Sequence, residues 1–240
     1  MKIIPVADYD EMSLKAADIV IDQINSKKDS IIALPIGSTP RGLYKLLVEN
    51  CREGKLDFSD VRIFCLDEYI GIPDTDEHST HYYMKHTLCD LINIDEANIN
   101  IPKGYTSEPN ISAESYERKI KTSTGIDLLI LGLGVNGHIG FNEPDDYFSD
   151  DTHVVRLHED TRQVNARFFD SIDQVPDSAV TVGIGTIMRA KKILAIVSGK
   201  NKHEALMNCI YGDVKPSVPV SILKFHPNVT IIADAEAYYG

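Results

Sequence analysis

The sequence predicts an α/β fold, with a mostly parallel, doubly wound open sheet covered by helices on both faces. Short runs of β-branched and aliphatic residues alternate with amphipathic stretches almost from end to end. Several of these runs are apolar at every position, which is typical of parallel strands buried on both faces. Proline and glycine are spread among turns, with no repeat or linker. The 240 residues therefore predict a single domain, 1–240.

The elements follow one another in regular order. Strands are predicted for the short apolar runs 2–6, 31–35, 61–66, 126–131, 153–157, 179–182, 193–197 and 229–233. Helices are predicted where apolar residues recur at three- and four-residue spacing, at 10–25, through Leu43, Leu46 and Leu47, and at 79–91, 112–122, 160–169 and 202–211. Ligands of such folds bind beyond the carboxyl ends of the strands, so the loops after Pro35, Leu66 and Leu131 are the candidate site.

Composition excludes several classes of protein. The net charge of −12, without a long basic run, argues against a nucleic-acid partner. The four cysteines lack the Cys-x-x-Cys spacing of a metal site, and free thiols are expected. No signal-like apolar segment begins the chain, and no run approaches the roughly 20 residues of a membrane span. We therefore expect a cytoplasmic protein without a membrane partner.

The first candidate segment is a strand-to-helix turn, with Gly37, Ser38 and Thr39 ahead of Pro40. The two hydroxyls lie beside the free amides of a helix N-terminus, where a phosphate is stabilised. The segment lacks the Walker pattern, and an ordinary capped turn explains it equally well.

The second candidate segment places adjacent carboxylates, Asp67 and Glu68, at the end of an apolar strand. Side chains alternate along extended backbone, so only one of the two is expected to face a substrate. A buried aspartate there could remove a carbon-bound proton. A helix cap plus a surface charge is the competing interpretation.

The third segment is a glycine-rich loop that holds Asn136, His138 and Glu143. Gly132, Gly134 and Gly137 match the dinucleotide-binding fingerprint formally, but the following Phe-Asn-Glu-Pro does not favour the helix that this fingerprint requires. A neutral histidine can instead accept a hydroxyl proton near neutral pH, with Glu143 orienting it.

Cations and further histidines complete the candidates. Arg167 and Lys202 could bind a phosphate, although exposed cations are usually only solvated. His78, His81 and His86 lack a matching carboxylate or cysteine pattern, so helix-face histidines are expected rather than a metal site.

Taken together, these segments resemble the glucosamine-6-phosphate deaminase family over essentially the whole chain. The matching segments are Leu34-Pro35-x-Gly37-x-Thr39-Pro40, Leu66-Asp67-Glu68-Tyr69-x-Gly71, Gly134-x-Asn136-Gly137-His138-Ile139-Gly140-Phe141-Asn142-Glu143-Pro144, and Thr161-Arg162 with Asn165-x-Arg167-Phe168-Phe169. Each segment alone is weak evidence for the family, but the occurrence of all of them in this order is specific to it.

The resemblance implies a cofactor-free, metal-free aldose–ketose isomerisation that converts glucosamine 6-phosphate and water to fructose 6-phosphate and ammonia. It implies that His138 opens the sugar ring with support from Glu143 and Asn136, and that Asp67 moves a proton from C2 to C1. The implied phosphate-binding residues are Gly37, Ser38, Thr39, Arg167 and Lys202.

Two departures from the family pattern bear on mechanism and regulation. Many members carry aspartate where this chain has Asn136. Longer hexameric relatives bind the activator N-acetylglucosamine 6-phosphate at a basic site, whereas residues 150–155 lack such a cluster. We therefore expect a monomer without an activator site. The alternatives are a 6-phosphogluconolactonase, which lacks the Phe-Asn-Glu-Pro and Asp-Glu-Tyr segments, and a non-catalytic sugar-phosphate-binding regulatory module.

Overall fold

The computed structural model describes residues 1–240. Its strands are β1 (Lys2–Pro5), β2 (Ile31–Leu34), β3 (Arg62–Cys65), β4 (Asp67–Tyr69), β5 (Ile99–Asn100), β6 (Leu128–Gly132), β7 (His153–Arg156), β8 (Ser178–Thr181), β9 (Ile193–Val197) and β10 (Val229–Ala233). Its helices are α1 (Tyr9–Ser26), α2 (Arg41–Arg52), α3 (Thr80–Thr87), α4 (Pro109–Thr122), α5 (Glu159–Asn165), α6 (Ile184–Met188), α7 (His203–Tyr211) and α8 (Ala235–Tyr239).

Seven strands form a wholly parallel sheet in the order β1-β10-β9-β6-β2-β3-β5. After β2 the chain adds strands toward one edge, and after β6 it adds them toward the other. The strand order therefore reverses between β2 and β6, and the loops that follow these two strands open into the same crevice. The predicted fold class, a mostly parallel α/β sheet, is confirmed.

The sheet has one apolar cluster on each face, of 26 and 25 buried residues. Successive side chains of a strand enter opposite clusters: in β9, Ile193 and Ala195 belong to one cluster, and Leu194 and Ile196 to the other. Both faces are covered, which explains why the central strands β2, β6 and β9 are apolar at every position. None of the helices combines the length and apolar character required to cross a bilayer.

A second sheet was not predicted. The predicted strands at 153–157 and 179–182 exist as β7 and β8, but they pair antiparallel with β4 in the order β4-β8-β7 and not with the main sheet. Strand β4 consists of the acidic segment that follows β3, and its polar sequence does not resemble a strand. The short elements β5, α6 and α8 were also missed, because runs this short carry too little periodicity to be recognised.

Candidate active site

A cavity of about 380 Å³ lies at the carboxyl ends of the central strands. Its wall includes the turn after β2, the start of β4, the loop after β6, the segment from α5 through the following 3₁₀ turn, and the turn after β9. The predicted residues that line it are Gly37, Ser38, Thr39, Asp67, His138, Arg167 and Lys202. Asn136 and Glu143 do not line the cavity: Glu143 contacts the His138 ring, and Asn136 contacts Glu143.

Asp67 is presented to the cavity by β4, where it pairs with Thr181 of β8. Only 5% of the residue is exposed, and its Oδ1 has no hydrogen-bond partner. Burial, followed by the charge of Glu68, raises the pKa of Asp67 to about 7. Gly140 borders the same space, and a Cβ there would lie 2.9 Å from Thr181 Oγ1 and 3.9 Å from Asp67 Oδ2. The arrangement leaves a buried carboxylate able to accept a proton near neutral pH.

Glu68 takes the other side of β4, as the alternation of side chains along a strand predicts. Its carboxylate does not line the cavity and accepts three backbone N–H donors, from Tyr69, Thr80 and His81. Of the two adjacent carboxylates, Asp67 is therefore the one available to a bound molecule.

The glycine-rich loop after β6 brings the ring of His138 against its own backbone. A Cβ at Gly134 would lie 2.4 Å from three atoms of the His138 ring, so only glycine permits this packing. The amide of Gly134 donates to His138 O (2.9 Å), and Gly137 adopts a φ of +86°. No helix follows the loop directly, and the dinucleotide-binding interpretation is excluded on that geometry.

His138 is oriented by two partners. Its Nδ1 lies 3.4 Å from Glu143 Oε2 and 3.4 Å from Thr161 Oγ1. Burial alone would raise the pKa of Glu143, but the hydrogen bond and charge of His138, with hydrogen bonds from Thr161 and Asn136, outweigh burial and lower the pKa to about 2. Glu143 is therefore an ionised, buried partner for an imidazole that gains a proton.

Asn136 acts on Glu143 rather than on the imidazole ring. Its Nδ2 donates to Glu143 Oε2 (2.9 Å), while its Oδ1 accepts from the backbone N–H of His138 (3.1 Å). An aspartate at this position would face Glu143 with a second carboxylate and could accept but not donate. The amide therefore favours the charged form of Glu143 and fixes the loop at the same time.

The opposite end of the cavity is cationic. Arg167 donates from Nη2 to Ser38 Oγ (3.1 Å), which places the guanidinium beside the turn that precedes α2. Lys202 lines the same region, where burial and then the charge of Arg167 lower its pKa to about 8. Two cations and the amides of a helix start suit an anionic group, and a bound phosphate would restore the ammonium form of Lys202.

Several lining residues were not predicted as site residues: Arg41, Tyr69, His78, Tyr83, Thr161 and Asn165. Thr161 and Asn165 belong to the quoted Thr-Arg and Asn-x-Arg segments, which were noted without roles for these side chains. Tyr83 donates from its hydroxyl to Gly37 O (2.6 Å) across 46 residues, a contact that no local pattern could indicate.

The histidine segment differs in part from the expectation. His81 and His86 lie on α3, whereas His78 precedes it, stacks on Phe169 at 4.2 Å and hydrogen-bonds Asp76. No group of three or more His, Cys, Asp and Glu side chains lies close enough together to hold a metal ion.

Comparisons with known sequences identify the family. A family model described as glucosamine-6-phosphate isomerases/6-phosphogluconolactonase matches residues 7–232. A glucosamine-6-phosphate deaminase of Thermoanaerobacter pseudethanolicus is 48% identical over 99% of this chain and 94% of its own length. A deaminase of Clostridium acetobutylicum is 48% identical over 99% of this chain and 98% of its own length.

Solved structures give the same result. A monomeric glucosamine-6-phosphate deaminase superposes with a TM-score of 0.97 at 40% identity, over 99% of this chain and 98% of that chain. A 6-phosphogluconolactonase from Trypanosoma cruzi shares the fold, with a TM-score of 0.74 at 24% identity over 98% of this chain and 95% of that chain. The chain therefore belongs to the glucosamine-6-phosphate isomerase/6-phosphogluconolactonase family.

Proposed function

We propose that this chain is a glucosamine-6-phosphate deaminase, converting glucosamine 6-phosphate and water to fructose 6-phosphate and ammonia. One observation carries the proposal: a buried carboxylate with a free oxygen, Asp67, shares a cavity with a cationic end and with a histidine held by a buried glutamate. Relatives that are 48% identical over nearly the whole chain bear the name of this activity.

The first step is opening of the sugar ring. His138 accepts the proton of the C1 hydroxyl and returns a proton to the ring oxygen, which yields the open-chain aldehyde. Glu143 stabilises the imidazolium formed in between, and Asn136 keeps Glu143 ionised and the loop in place. Thr161 supports the same ring from α5.

The second step is proton transfer between carbons. Asp67 takes the proton from C2, and that electron pair forms the C1–C2 double bond of an enolamine while the carbonyl pair of C1 moves to its oxygen, which takes a proton from the C2 ammonium group. Asp67 then returns its proton to C1, which leaves a protonated imine at C2. Water adds to that imine and ammonia leaves, so that C2 becomes the ketone of fructose 6-phosphate. A pKa of about 7 suits a base that must both take and return a proton near neutral pH.

The phosphate of the substrate is assigned to the cationic end of the cavity. Arg167 and Lys202 supply charge, and Gly37, Ser38 and Thr39 supply amides and hydroxyls before α2. Binding at this end directs C1 and C2 toward Asp67 and His138, which line the same cavity.

We also propose a cytoplasmic monomer in which the chain acts as one domain, 1–240. The four cysteines are unpaired, which suits a reducing compartment. Strand β1 pairs with β10, so both ends of the chain belong to one sheet. A deaminase at 40% identity is described as monomeric.

We also propose that the chain has no activator site. Asp150 and Asp151 form ion pairs: Arg189 pairs with both, and Lys121 also pairs with Asp151. These cations come from other elements and were not visible in the local sequence. Both are engaged by carboxylates, including Glu117, and are not free to bind a phosphate.

The test is stoichiometric. Purified protein is incubated with glucosamine 6-phosphate, and ammonia and fructose 6-phosphate are measured in the same samples, with and without EDTA. We expect equal amounts of both products and no effect of EDTA. Hydrolysis of 6-phosphogluconolactone without ammonia release would identify a lactonase. Binding of glucosamine 6-phosphate without turnover of it or of 6-phosphogluconolactone would identify a regulatory module.

A further inference from the structure

Glu68 is a buried acidic residue that the proposed reaction does not use directly. It is 1% exposed and lies outside the cavity. A buried carboxylate is costly unless it is fully hydrogen-bonded, so its position requires a reason. Its partners are three backbone amides at distances of 2.8–3.1 Å.

These partners are all donors. Oε1 accepts from the amides of Tyr69 (2.9 Å) and Thr80 (2.8 Å), and Oε2 accepts from the amide of His81 (3.1 Å). Each of these bonds is best made by the ionised carboxylate. Asp67, by contrast, has an oxygen without any partner. Burial raises the pKa of Glu68 to about 7, and the three amide bonds act against that rise. Asp67 has no such bonds, so the hydrogen bonding favours Glu68 as the neighbour that holds the negative charge and Asp67 as the one that exchanges a proton.

The same bonds join three parts of the site. Thr80 and His81 begin α3, so Glu68 fixes the start of that helix against β4. One turn further along α3, the Tyr83 hydroxyl donates to Gly37 O (2.6 Å) in the phosphate turn. The backbone of Gly104 packs against Glu68 and Tyr69. A Cβ at Gly104 would lie 2.8 Å from Glu68 Cγ and 1.8 Å from Tyr69 O, so only glycine permits this packing.

We infer that Glu68 is a positioning residue for the proposed reaction, which fixes the phosphate turn relative to Asp67 through α3 and supplies the fixed charge that keeps Asp67 able to hold and return a proton. The inference rests on the proposed function. It predicts two separable effects, one on substrate affinity and one on the pH at which Asp67 ionises.

Other titratable groups around the pair do not supply this charge. Burial raises the pKa of each neighbouring phenol and thiol, namely Tyr69 on β4, Cys65 on β3, Tyr44 on α2 and Tyr116 on α4. These groups are neutral near pH 7. Asp74, on the exposed segment before α3, is a further charged neighbour of Glu68.

The first test is the pH dependence of kcat/KM for the wild type, Glu68→Gln and a matched control, Asp74→Asn. Removing the charge of Glu68 should move the midpoint of the acid limb down by about one pH unit or more, the size of shift that a close charge produces. The control should keep the wild-type midpoint. An unchanged midpoint in Glu68→Gln would overturn the inference, because a merely structural role would alter stability and KM without moving it.

The second test uses the wild-type protein and needs no turnover. In a ¹³C carboxyl NMR titration, Glu68 should ionise at lower pH than Asp67; the reverse order would overturn the inference even if Glu68→Gln did not fold.

The Tyr83→Phe variant tests the link from Glu68 through α3 to the phosphate turn. It should raise the KM for glucosamine 6-phosphate several-fold and leave the midpoint of the acid limb unchanged. An unchanged KM would contradict that link. Failure of the proposed function would appear separately, as no ammonia release by the wild type.

Discussion

Replacing Glu143 by glutamine tests the assignment of a buried, ionised partner to His138. Glu143 is 7% exposed, and its pKa falls from an ordinary 4.5 to about 2 because its hydrogen bonds and the His138 charge outweigh burial. A difference of this size corresponds to about 3 kcal/mol of unfolding free energy near pH 5. Glutamine keeps the shape, but it loses the charge and presents a donor toward Asn136 or His138.

The pH dependence gives this prediction its sign. Because the folded-state pKa is depressed, the stabilisation is complete above about pH 4.5 and is lost as the pH falls toward 2. Urea denaturation should therefore show Glu143→Gln to be less stable than the wild type by about 3 kcal/mol near pH 5 and by about half of that near pH 3. Glu114→Gln, at an exposed carboxylate without an ion pair, is the control and should match the wild type. Equal stability of Glu143→Gln and wild type near pH 5, or a stability difference that does not narrow between pH 5 and pH 3, would refute the reasoning.

Four further predictions concern chemistry, binding and regulation. Asp67→Asn should lower kcat by roughly 10²–10⁴-fold with a much smaller change in KM, and a wild-type kcat would remove Asp67 from the mechanism. Arg167→Ala and Lys202→Ala should each weaken binding of glucosamine 6-phosphate by about 1.5–3 kcal/mol, and an equal loss for unphosphorylated glucosamine would exclude phosphate binding by these cations. Wild-type affinity should also fall as the pH rises through about 8, where Lys202 loses its proton, whereas Lys202→Arg should hold its affinity above that pH. Kinetics should be hyperbolic with or without N-acetylglucosamine 6-phosphate, and light scattering should give the mass of one chain; sigmoidal kinetics or a hexamer would contradict this.

The central sheet and the positions of the site loops were predictable, because each depends on local sequence. A strand buried on both faces must be apolar throughout, and the loops after β2 and β6 follow from the strand ends. The glycine-rich composition of the segment after β6 likewise indicated a loop that carries His138, but the packing of the His138 ring against Gly134, where a Cβ would lie 2.4 Å from the ring, was found only in the structure.

The contacts that complete the site were not predictable, because they join residues distant in sequence. Strand β4 exists because Asp67 and Tyr69 pair with Thr181 and Ala179 of β8, more than a hundred residues away. The bond from Tyr83 to Gly37 and the role of Asn136 toward Glu143 depend on tertiary geometry in the same way. Residue types indicated which side chains could take part in catalysis or binding, and only the fold showed which of them are in contact.

The central claim, that this cavity breaks the C2–H bond and releases ammonia, is tested most directly with glucosamine 6-phosphate deuterated at C2. The product is analysed by NMR and mass spectrometry while ammonia is quantified. We expect fructose 6-phosphate in equal amount to ammonia, with the deuterium found at C1 or lost to solvent, because Asp67 must remove it from C2. Ammonia release that leaves an aldose with deuterium still at C2, or no ammonia release at all, would contradict the account.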